Sequence, residues 1–305
     1  MKSICDRCNA KSTYYRVYSG ESLCAKCFSR SLQEKVAKTI SKYSMVKHGD
    51  RIAVAVSGGK DSLSLLHIMN MLCEKHGSTV CAVTIDEGID GYRDESLDIV
   101  SRFTTQLNVE HKILSYKELY GVSLEDSLQL RKSRRMSSCS ICGTFRRRAI
   151  DIAAETVGAN VVATAHNLDD VLQTFLINIL AGDVERIGWT YPEPVDYANG
   201  LRKIKPFTEI YEREIAFYAL VNEMPFQAEE CPHMNEGIRT EIREFLNKLE
   251  KEHAGIKYNA YNTMVKVAKR VKDSASKERG KCVLCGRDST NKICSVCSMM
   301  ITLKQ

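Results

Sequence analysis

Residues 51–62 read RIAVAVSGGKDS, and the fold is decided there. Ile52, Val54 and Val56 are β-branched and fall at every second position, the spacing of a strand. The run stops at Ser57-Gly58-Gly59. Lys60, Asp61 and Ser62 follow, and then LSLLHIMNMLCEK places apolar residues at helical spacing. The order is strand, glycine turn, helix. Two glycines let backbone N–H groups approach an anion closely, and a helix N-terminus adds positive potential. Ser57 and Ser62 offer hydroxyls, and Lys60 offers a point charge. A bare turn needs neither consecutive glycines nor Lys-Asp-Ser after them. The stretch is not the GxxxxGK[ST] loop that grips a triphosphate.

It resembles the SGGxDS pyrophosphate loop of enzymes that adenylate a substrate oxygen, so ATP is the expected nucleotide. Working outward, strands are expected at 79–85, 110–114 and 160–165, with helices at 61–75, 93–107 and 169–180 and another opening at Cys142. Strands alternating with helices predict an α/β fold with a doubly wound parallel sheet. Ligands in such sheets sit beyond the carboxyl ends of the strands. The glycine turn, Asp86 and His166-Asn167 all fall there. A helix at 29–47 precedes the sheet. Residues 182–200 look irregular; a strand within LRKIKPF and helices at 211–222, 236–253 and 261–272 follow. The expected modules are 1–28, a linker helix at 29–50, a catalytic domain at 51–230, a helical extension at 231–275 and a last module at 276–305.

The chain has 305 residues, 44% hydrophobic and 27% charged, as in an ordinary globular protein. No apolar run is long enough to span a bilayer, and MKSICDRCNAK has no apolar signal region, so a cytoplasmic protein without membrane attachment is expected. The net charge of +6 decides nothing alone. Its distribution is more telling. Arg131, Lys132, Arg134 and Arg135 precede a CxxC, Arg146, Arg147 and Arg148 follow it, and Lys266, Lys269, Arg270 and Lys272 form a second group. Such clusters suit a polyanion such as RNA; solvated helix faces are the plainer alternative.

Thirteen cysteines are many for a cytosolic chain, where such spacing binds metal more often than it forms disulfides. Cys5 and Cys8 pair with Cys24 and Cys27 across 15 residues; Cys282 and Cys285 pair with Cys294 and Cys297 across 8. Each set offers four thiolates, which fits tetrahedral zinc with a hairpin or loop between the knuckles. An iron–sulfur cluster at one of them is the competing reading. Such short segments cannot bury enough apolar surface to fold alone, so metal would stabilise them. A closed site leaves no position for chemistry.

Five cysteines remain. Cys73 and Cys81 lie in an apolar helix and a strand, where small core residues are expected. Cys139-Ser140-Ile141-Cys142 follows a basic, serine-rich segment, and Cys231 precedes a proline. Three thiolates can hold a [4Fe–4S] cluster with one iron open to a sulfur ligand. A Cys139/Cys142 redox pair carrying a persulfide is the other chemistry, and a structural role is a third. In His166-Asn167-Leu168-Asp169-Asp170, one carboxylate suits a helix cap; the other suits magnesium binding or catalysis.

These residues together resemble the tRNA 2-thiolation enzymes: the cytoplasmic tRNA 2-thiolation protein 1 group, its archaeal relatives and the bacterial 2-thiouridine synthetases. The resemblance spans nearly the whole chain, from the first paired CxxC through SGGKDS, CSICGTFRRRAI, TAHNLDDVLQT and Cys231 to the last paired CxxC. It implies an adenine nucleotide α-hydrolase-like fold and a [4Fe–4S] cluster on Cys139, Cys142 and Cys231. It also implies a nucleotide site lined by Ala55, Ser57, Gly58, Gly59, Lys60, Asp61 and Ser62, adenosine held near Ile85, Asp86 and Ala165, and a catalytic aspartate at Asp170. Residues 231–275 would bind tRNA. Bacterial members acting on the T-loop carry lysine where this chain has Arg146. Phe145-Arg146-Arg147 looks like the wobble-uridine group, and arginine lacks a tunable proton.

The expected reaction is ATP-dependent adenylation of a tRNA uridine C2 oxygen, with Mg2+, followed by sulfur attack that releases AMP. Uridine 34 is favoured over uridine 54. The sulfur donor would be a thiocarboxylated ubiquitin-like carrier or sulfide, and the family suggests a homodimer. Two alternatives are 2-thiocytidine synthesis and a non-catalytic scaffold that binds tRNA and senses ATP.

Overall fold

The computed structural model describes residues 3–131, 136–196, 200–233, 238–274 and 280–304. The chain opens with an antiparallel hairpin, β1 (Tyr14–Arg16) and β2 (Glu21–Leu23), inside the first cysteine set. Helix α1 (Ala25–Lys42) starts within the second knuckle, because the Cys24 sulfur accepts from Cys27 N–H and caps it. The expected start at 29 was therefore late. Next come β3 (Arg51–Ala55), α2 (Lys60–Glu74), β4 (Thr79–Asp86), α3 (Arg93–Gln106) and β5 (Glu110–Ser115). Two short capped helices, α4 (Tyr116–Tyr120) and α5 (Leu124–Leu130), precede α6 (Ser138–Thr156) and β6 (Val161–Ala163). Helix α7 (Leu168–Leu180) is followed by α8 (Val184–Gly188), β7 (Val195–Asp196), β8 (Arg202–Ile204) and α9 (Glu212–Val221). The chain ends with α10 (Arg239–Glu252), α11 (Ile256–Ser274), the small pair β9 (Gly280–Lys281) and β10 (Asp288–Ser289), and α12 (Ser295–Lys304).

The main sheet has the order β5-β4-β3-β6-β8-β7. Five strands run parallel and β7 pairs antiparallel at one edge. The chain leaves β3 in one direction for β4 and β5, and returns on the other side for β6 and β8. The order reverses between β3 and β6, which opens a crevice beyond their carboxyl ends. The doubly wound expectation holds.

Alternation divides each central strand between two cores. Ile52, Val54, Ala82, Val161 and Ala163 face one layer, with Leu63 and Leu66 of α2 and Ile215 of α9. Ala53, Cys81, Val83, Ile85 and Val162 face the other, with Ile141, Phe145, Ala149 and Ala153 of α6. Cys73 and Cys81 are buried in these layers, and burial pushes both thiols up to about 11.

Packing crosses the expected module borders. Cys5, Leu23, Cys24 and Phe28 belong to the first layer's core. Arg16 donates to the buried Glu214 of α9 at 2.7 Å, and Tyr18 donates to the same carboxylate at 3.0 Å. At the other end, Leu303 is buried beside α6, and Arg287 makes two bonds to Glu155, of 2.9 and 2.8 Å. Helices α10 and α11 share a third cluster with α7 through Leu246, Tyr261, Met264, Val171 and Leu172. No helix among the described residues is long and apolar enough to cross a membrane. The 182–200 segment, expected irregular, contains α8, which Asp183 caps by accepting from Arg186 N–H.

Candidate active site

The glycine turn is tied from several sides. Val56 N–H continues the ladder to Val83 O. Gly58 has φ +91°, and a Cβ there would meet Ser96 Cβ of α3 at 2.7 Å and Ser96 backbone at 3.1 Å. Gly59 stands at the N-cap of α2 with no side-chain cap, so the first N–H groups of α2 point outward unclaimed by a cap. Ser62 is buried; its hydroxyl donates to Gly59 O at 2.9 Å and receives Ser57 N–H at 3.1 Å, so it closes the turn. Lys60 Nζ pairs with Glu212 at 2.9 Å. Burial pushes the Asp61 carboxyl up to about 7; Lys60 opposes that and Glu212 and Asp170 add to it. A Gly58→Ala variant is expected to lose at least tenfold in ATP affinity, because left-handed strain and the Ser96 clash each cost about 1–3 kcal/mol. Equilibrium dialysis with a non-hydrolysable ATP analogue checks it, and near-normal affinity would contradict the close approach.

Around this turn the strand ends bring together Ala55, Ile85, Asp86 and Ala165. Ala55 lies opposite Val83, and Ile85 and Asp86 end β4. Asp86 accepts from Gly88 N–H at 2.9 Å. Asn167 and Asp170 form a capping box at α7: Asp170 N–H reaches the Asn167 side chain at 3.0 Å, and Asn167 N–H reaches Asp170 at 3.2 Å. Asp169 is buried, receives Glu212 N–H at 2.8 Å and pairs with the buried Lys257. Capping therefore falls to Asp170, and Asp169 ties α7 to α11. Burial pushes the Asp170 carboxyl up, against the Asn167 N–H and Arg239.

Helix α6 opens at Ser138, not at Cys142, because the Ser137 hydroxyl caps it by accepting from Ser140 N–H. Cys139 and Cys142 thus share its first turns, spaced i, i+3 on one face. Cys139 Sγ lies 3.7 Å from His233 O, and His233 Nε2 meets Glu125 at 2.8 Å. His233 is two residues past Cys231, roughly 7 Å of extended chain at most. Burial pushes the Cys231 thiol up; the His233 N–H and Arg146 oppose this, and Cys139 adds to it. The same segment reaches the glycine turn: Gln227 N–H donates to Gly58 O at 3.1 Å. Cys231 is the fourth residue after Gln227, so it lies within about 17 Å of the turn. Cys139 thus lies beside the segment that carries Cys231, Cys231 packs against the core cluster that contains Cys142, and Gln227 of the same segment sits on the glycine turn. Lys132, Arg134 and Arg135 lie outside the described residues.

The link between them escaped the sequence. Glu87 is 4% exposed and pairs with Arg93 at 2.9 Å and Arg146 at 2.8 Å. Arg93, itself buried, donates to Ser57 O at 3.0 Å and Ile85 O at 2.7 Å. Arg146 Nη2 lies 2.9 Å from Cys142 Sγ, and Tyr116 OH donates to Cys142 O at 2.8 Å. Burial pushes the Cys142 thiol up and Arg146 works against it. A chain of ion pairs thus runs from turn to thiol. Arg146 and His166 are exposed to solvent.

At the two ends, the four sulfurs of each cysteine set lie within 4.8 Å of one another. Cys8–Cys24 and Cys285–Cys294 separations are 3.6 and 3.7 Å. A tetrahedral ion with metal–sulfur bonds of ~2.3 Å needs edges of ~3.8 Å. The Cys282 thiol is drawn down to about 6, first by the Cys294 N–H; Cys27 is pushed up to about 12, first by its Cys8 neighbour. Both donor sets could hold a metal ion.

A PP-loop domain model matches residues 28–250. The cytoplasmic tRNA 2-thiolation protein 1 of Chlamydomonas reinhardtii is 36% identical over 308 residues, covering 97% of this chain and 84% of that protein. Its counterpart in Drosophila sechellia is 34% identical over 305 residues, covering 98% and 88%. A solved structure, the U34-tRNA thiolase NcsA from Methanococcus maripaludis with its [4Fe-4S] cluster, superposes with TM-score 0.84 at 28% identity, covering 98% of this chain and 96% of that one. The sheet and glycine turn define a PP-loop nucleotide-binding fold. Within that class, the chain belongs to the cytoplasmic tRNA 2-thiolation protein 1 family.

Proposed function

We propose that the protein is a cytoplasmic ATP-dependent tRNA sulfurtransferase that converts a uridine, at wobble position 34, to 2-thiouridine. The observation that carries this reading is the link from the Cys142 sulfur to the nucleotide turn through Arg146, Glu87 and Arg93, with Cys139 beside the segment that carries Cys231. The relatives' names and the similar U34 thiolase support the substrate and the position. Arg146, in place of the lysine of T-loop enzymes, supports position 34 over 54. The modules at 1–28, 29–50, 51–230, 231–275 and 276–305 stand as functional divisions within one packed body.

In this mechanism Ser57, Gly58, Gly59, Lys60 and Ser62 form the cradle for the β- and γ-phosphates of ATP. Their N–H groups, and the α2 dipole, stabilise the charge that develops on departing pyrophosphate. Asp61 and Asp170 would hold Mg2+, whose charge assists that departure. Ala55, Ile85, Asp86 and Ala165 line the adenosine side. The uridine, unstacked from its loop, presents its C2 oxygen to the α-phosphorus. Cys139, Cys142 and Cys231 would hold a [4Fe–4S] cluster, which supplies an open iron able to bind sulfide. Arg146 keeps positive charge beside the Cys142 sulfur, and Tyr116 fixes the carbonyl of that residue. Hydrosulfide, supplied as such or released when water hydrolyses a ubiquitin-like thiocarboxylate to its carboxylate, attacks C2, and the adenylated oxygen leaves as AMP. The working unit is proposed to be a homodimer.

Pyrophosphate release tests the assignment. It is expected to require a tRNA carrying uridine at position 34 and to vanish with cytidine there. Release without tRNA dependence, or with uridine 54 alone sufficient, would overturn it. The end modules are proposed to bind one zinc each. Elemental analysis is expected to find about two zinc per chain, and a strong chelator is expected to lower the melting temperature, because Cys5 and Cys24 lie in the main core. An unchanged melting temperature after zinc removal would contradict a structural role.

A further inference from the structure

Trp189 is the one tryptophan of the chain, and it is 59% exposed. It follows Gly188, the last residue of α8, which lies against α11: a Cβ on Gly188 would meet Lys272 N at 3.2 Å and Val271 Cγ1 at 3.3 Å. One residue further along is about 4 Å, so Trp189 stands at the last turns of α11. Those turns carry Lys266, Lys269, Arg270 and Lys272. Lys266, Lys269 and Arg270 are exposed, and at i, i+3 and i+4 they share the face turned away from the buried Met264 and Ala268. Among the described residues, none of these three pairs with a carboxylate. Lys272 pairs with Glu193 at 2.7 Å and lies 5.3 Å from the Tyr191 ring centroid. Asp273 is the acidic residue of this stretch. Helix α10 differs: its exposed residues interleave Glu241, Glu244 and Glu252 with Lys248 and Lys251. Like charges three and four apart oppose a helix, so α11 keeps a repulsion that a bound anion would relieve.

Helix α11 links this face to the nucleotide turn. Near its start Lys257 pairs with Asp169, Asp169 receives Glu212 N–H at 2.8 Å, and Glu212 pairs with Lys60 at 2.9 Å. At its other end Lys272 shares a recess of about 450 Å³ with Lys47, before β3, and Arg202, which opens β8. The helix therefore runs from the carboxyl ends of the strands to their amino ends. Lys266 to Arg270 lie roughly 14–20 Å along it from Lys257. We propose that Trp189, Lys266, Lys269 and Arg270 form a second RNA-binding surface, which holds an unpaired stretch of the tRNA apart from the target uridine. This rests on the reading of tRNA as substrate. An aromatic ring on which a base stacks, beside cations for the backbone, is how unpaired nucleic acid is held without sequence readout. A ligand gripped here while its uridine meets the glycine turn must be a polyanion that spans this distance, as a tRNA does. Leu180 and Val184 are also exposed where α7 turns into α8, so a second copy of the chain is the occupant to test against.

Trp189 is itself the probe, since no other indole contributes to the fluorescence. Titrating the wild-type chain with a uridine-34 tRNA transcript is expected to quench its emission, and a non-hydrolysable ATP analogue alone is not. Trp189→Ala should weaken tRNA binding about tenfold, and Trp189→Phe, which keeps a stacking ring, should retain most of it. A Lys266→Gln, Lys269→Gln, Arg270→Gln triple variant should lower the slope of log K against log salt by about 2, roughly 0.7 for each lost charge. Affinity for the ATP analogue should hold in every variant, which separates a lost surface from a lost fold. Wild-type tRNA binding without quenching, together with unchanged affinity and slope in the variants, would overturn the surface and leave the substrate reading standing. Variants that bind tRNA normally but sediment as smaller species than wild type would overturn it too, assigning the face to a second copy. A wild-type chain that binds no tRNA at all would overturn the substrate reading itself, and this surface with it.

Discussion

Replacing Cys142 with alanine is expected to abolish thiolated tRNA, a loss of more than about a hundredfold, while ATP binding persists. Removing an outer-shell partner of a metal ligand typically costs 10–100-fold, and Cys142 would be a ligand itself. The side chain is small and buried, so its truncation leaves only a minor void. Melting should therefore shift by no more than a few degrees, and the loss should read as chemistry. Cys139 is exposed, and Cys139→Ala should match the activity loss with even less effect on stability. Cys231→Ala separates the two sulfur chemistries. A three-thiolate site needs Cys231, whereas a Cys139/Cys142 redox pair does not. Anaerobic assays of thiouridine, with iron counted on the same samples, give both readouts. A fully active Cys231→Ala protein would remove the cluster from the mechanism.

Local signals carried much of this site. The 51–62 stretch fixed strand, turn and helix to within a residue, because β-branched alternation, paired glycines and apolar helical spacing all act over short distances. The four CxxC knuckles were equally legible, since ligand spacing is a local property. Helix starts were less so. Ser137 and Cys24 begin α6 and α1 earlier than the apolar pattern suggested, because a cap is one hydrogen bond that periodicity does not register. The residues that join the site were invisible. Glu87 and Arg93 sit in no motif. Their roles arise because the sheet order sets the end of β4 beside the glycine turn of β3 and α6 packs across β4, and ion pairs between remote residues leave no spacing to read. Asp169 shows the converse: a residue in a motif-like run that folding assigns to Lys257.

Glu87→Ala is expected to be the most destabilising single change near the site, at about 3–5 kcal/mol. Glu87 balances two arginines, and Arg93 is only 5% exposed. Without the carboxylate, the Arg93 charge stays buried between Ser57 O and Ile85 O, whose dipoles offset it only in part. For a chain of this length, such a loss lowers the melting temperature by roughly 10 °C. Glu87→Gln keeps an acceptor oxygen and should cost less. Salt separates this from a surface pair. Arg7 and Glu21 are each about a third exposed, and screening removes most of what such a pair contributes. The Glu87 effect should survive at 1 M salt, because buried charges are little screened. The same variant should weaken ATP binding, since Arg93 then loses the anchor that aims it at the Ser57 carbonyl, and should loosen Arg146 from Cys142. A Glu87→Ala protein with wild-type melting and nucleotide affinity would show that the turn and the thiol are held independently, and that the ion-pair chain between them does not couple the two halves of the site.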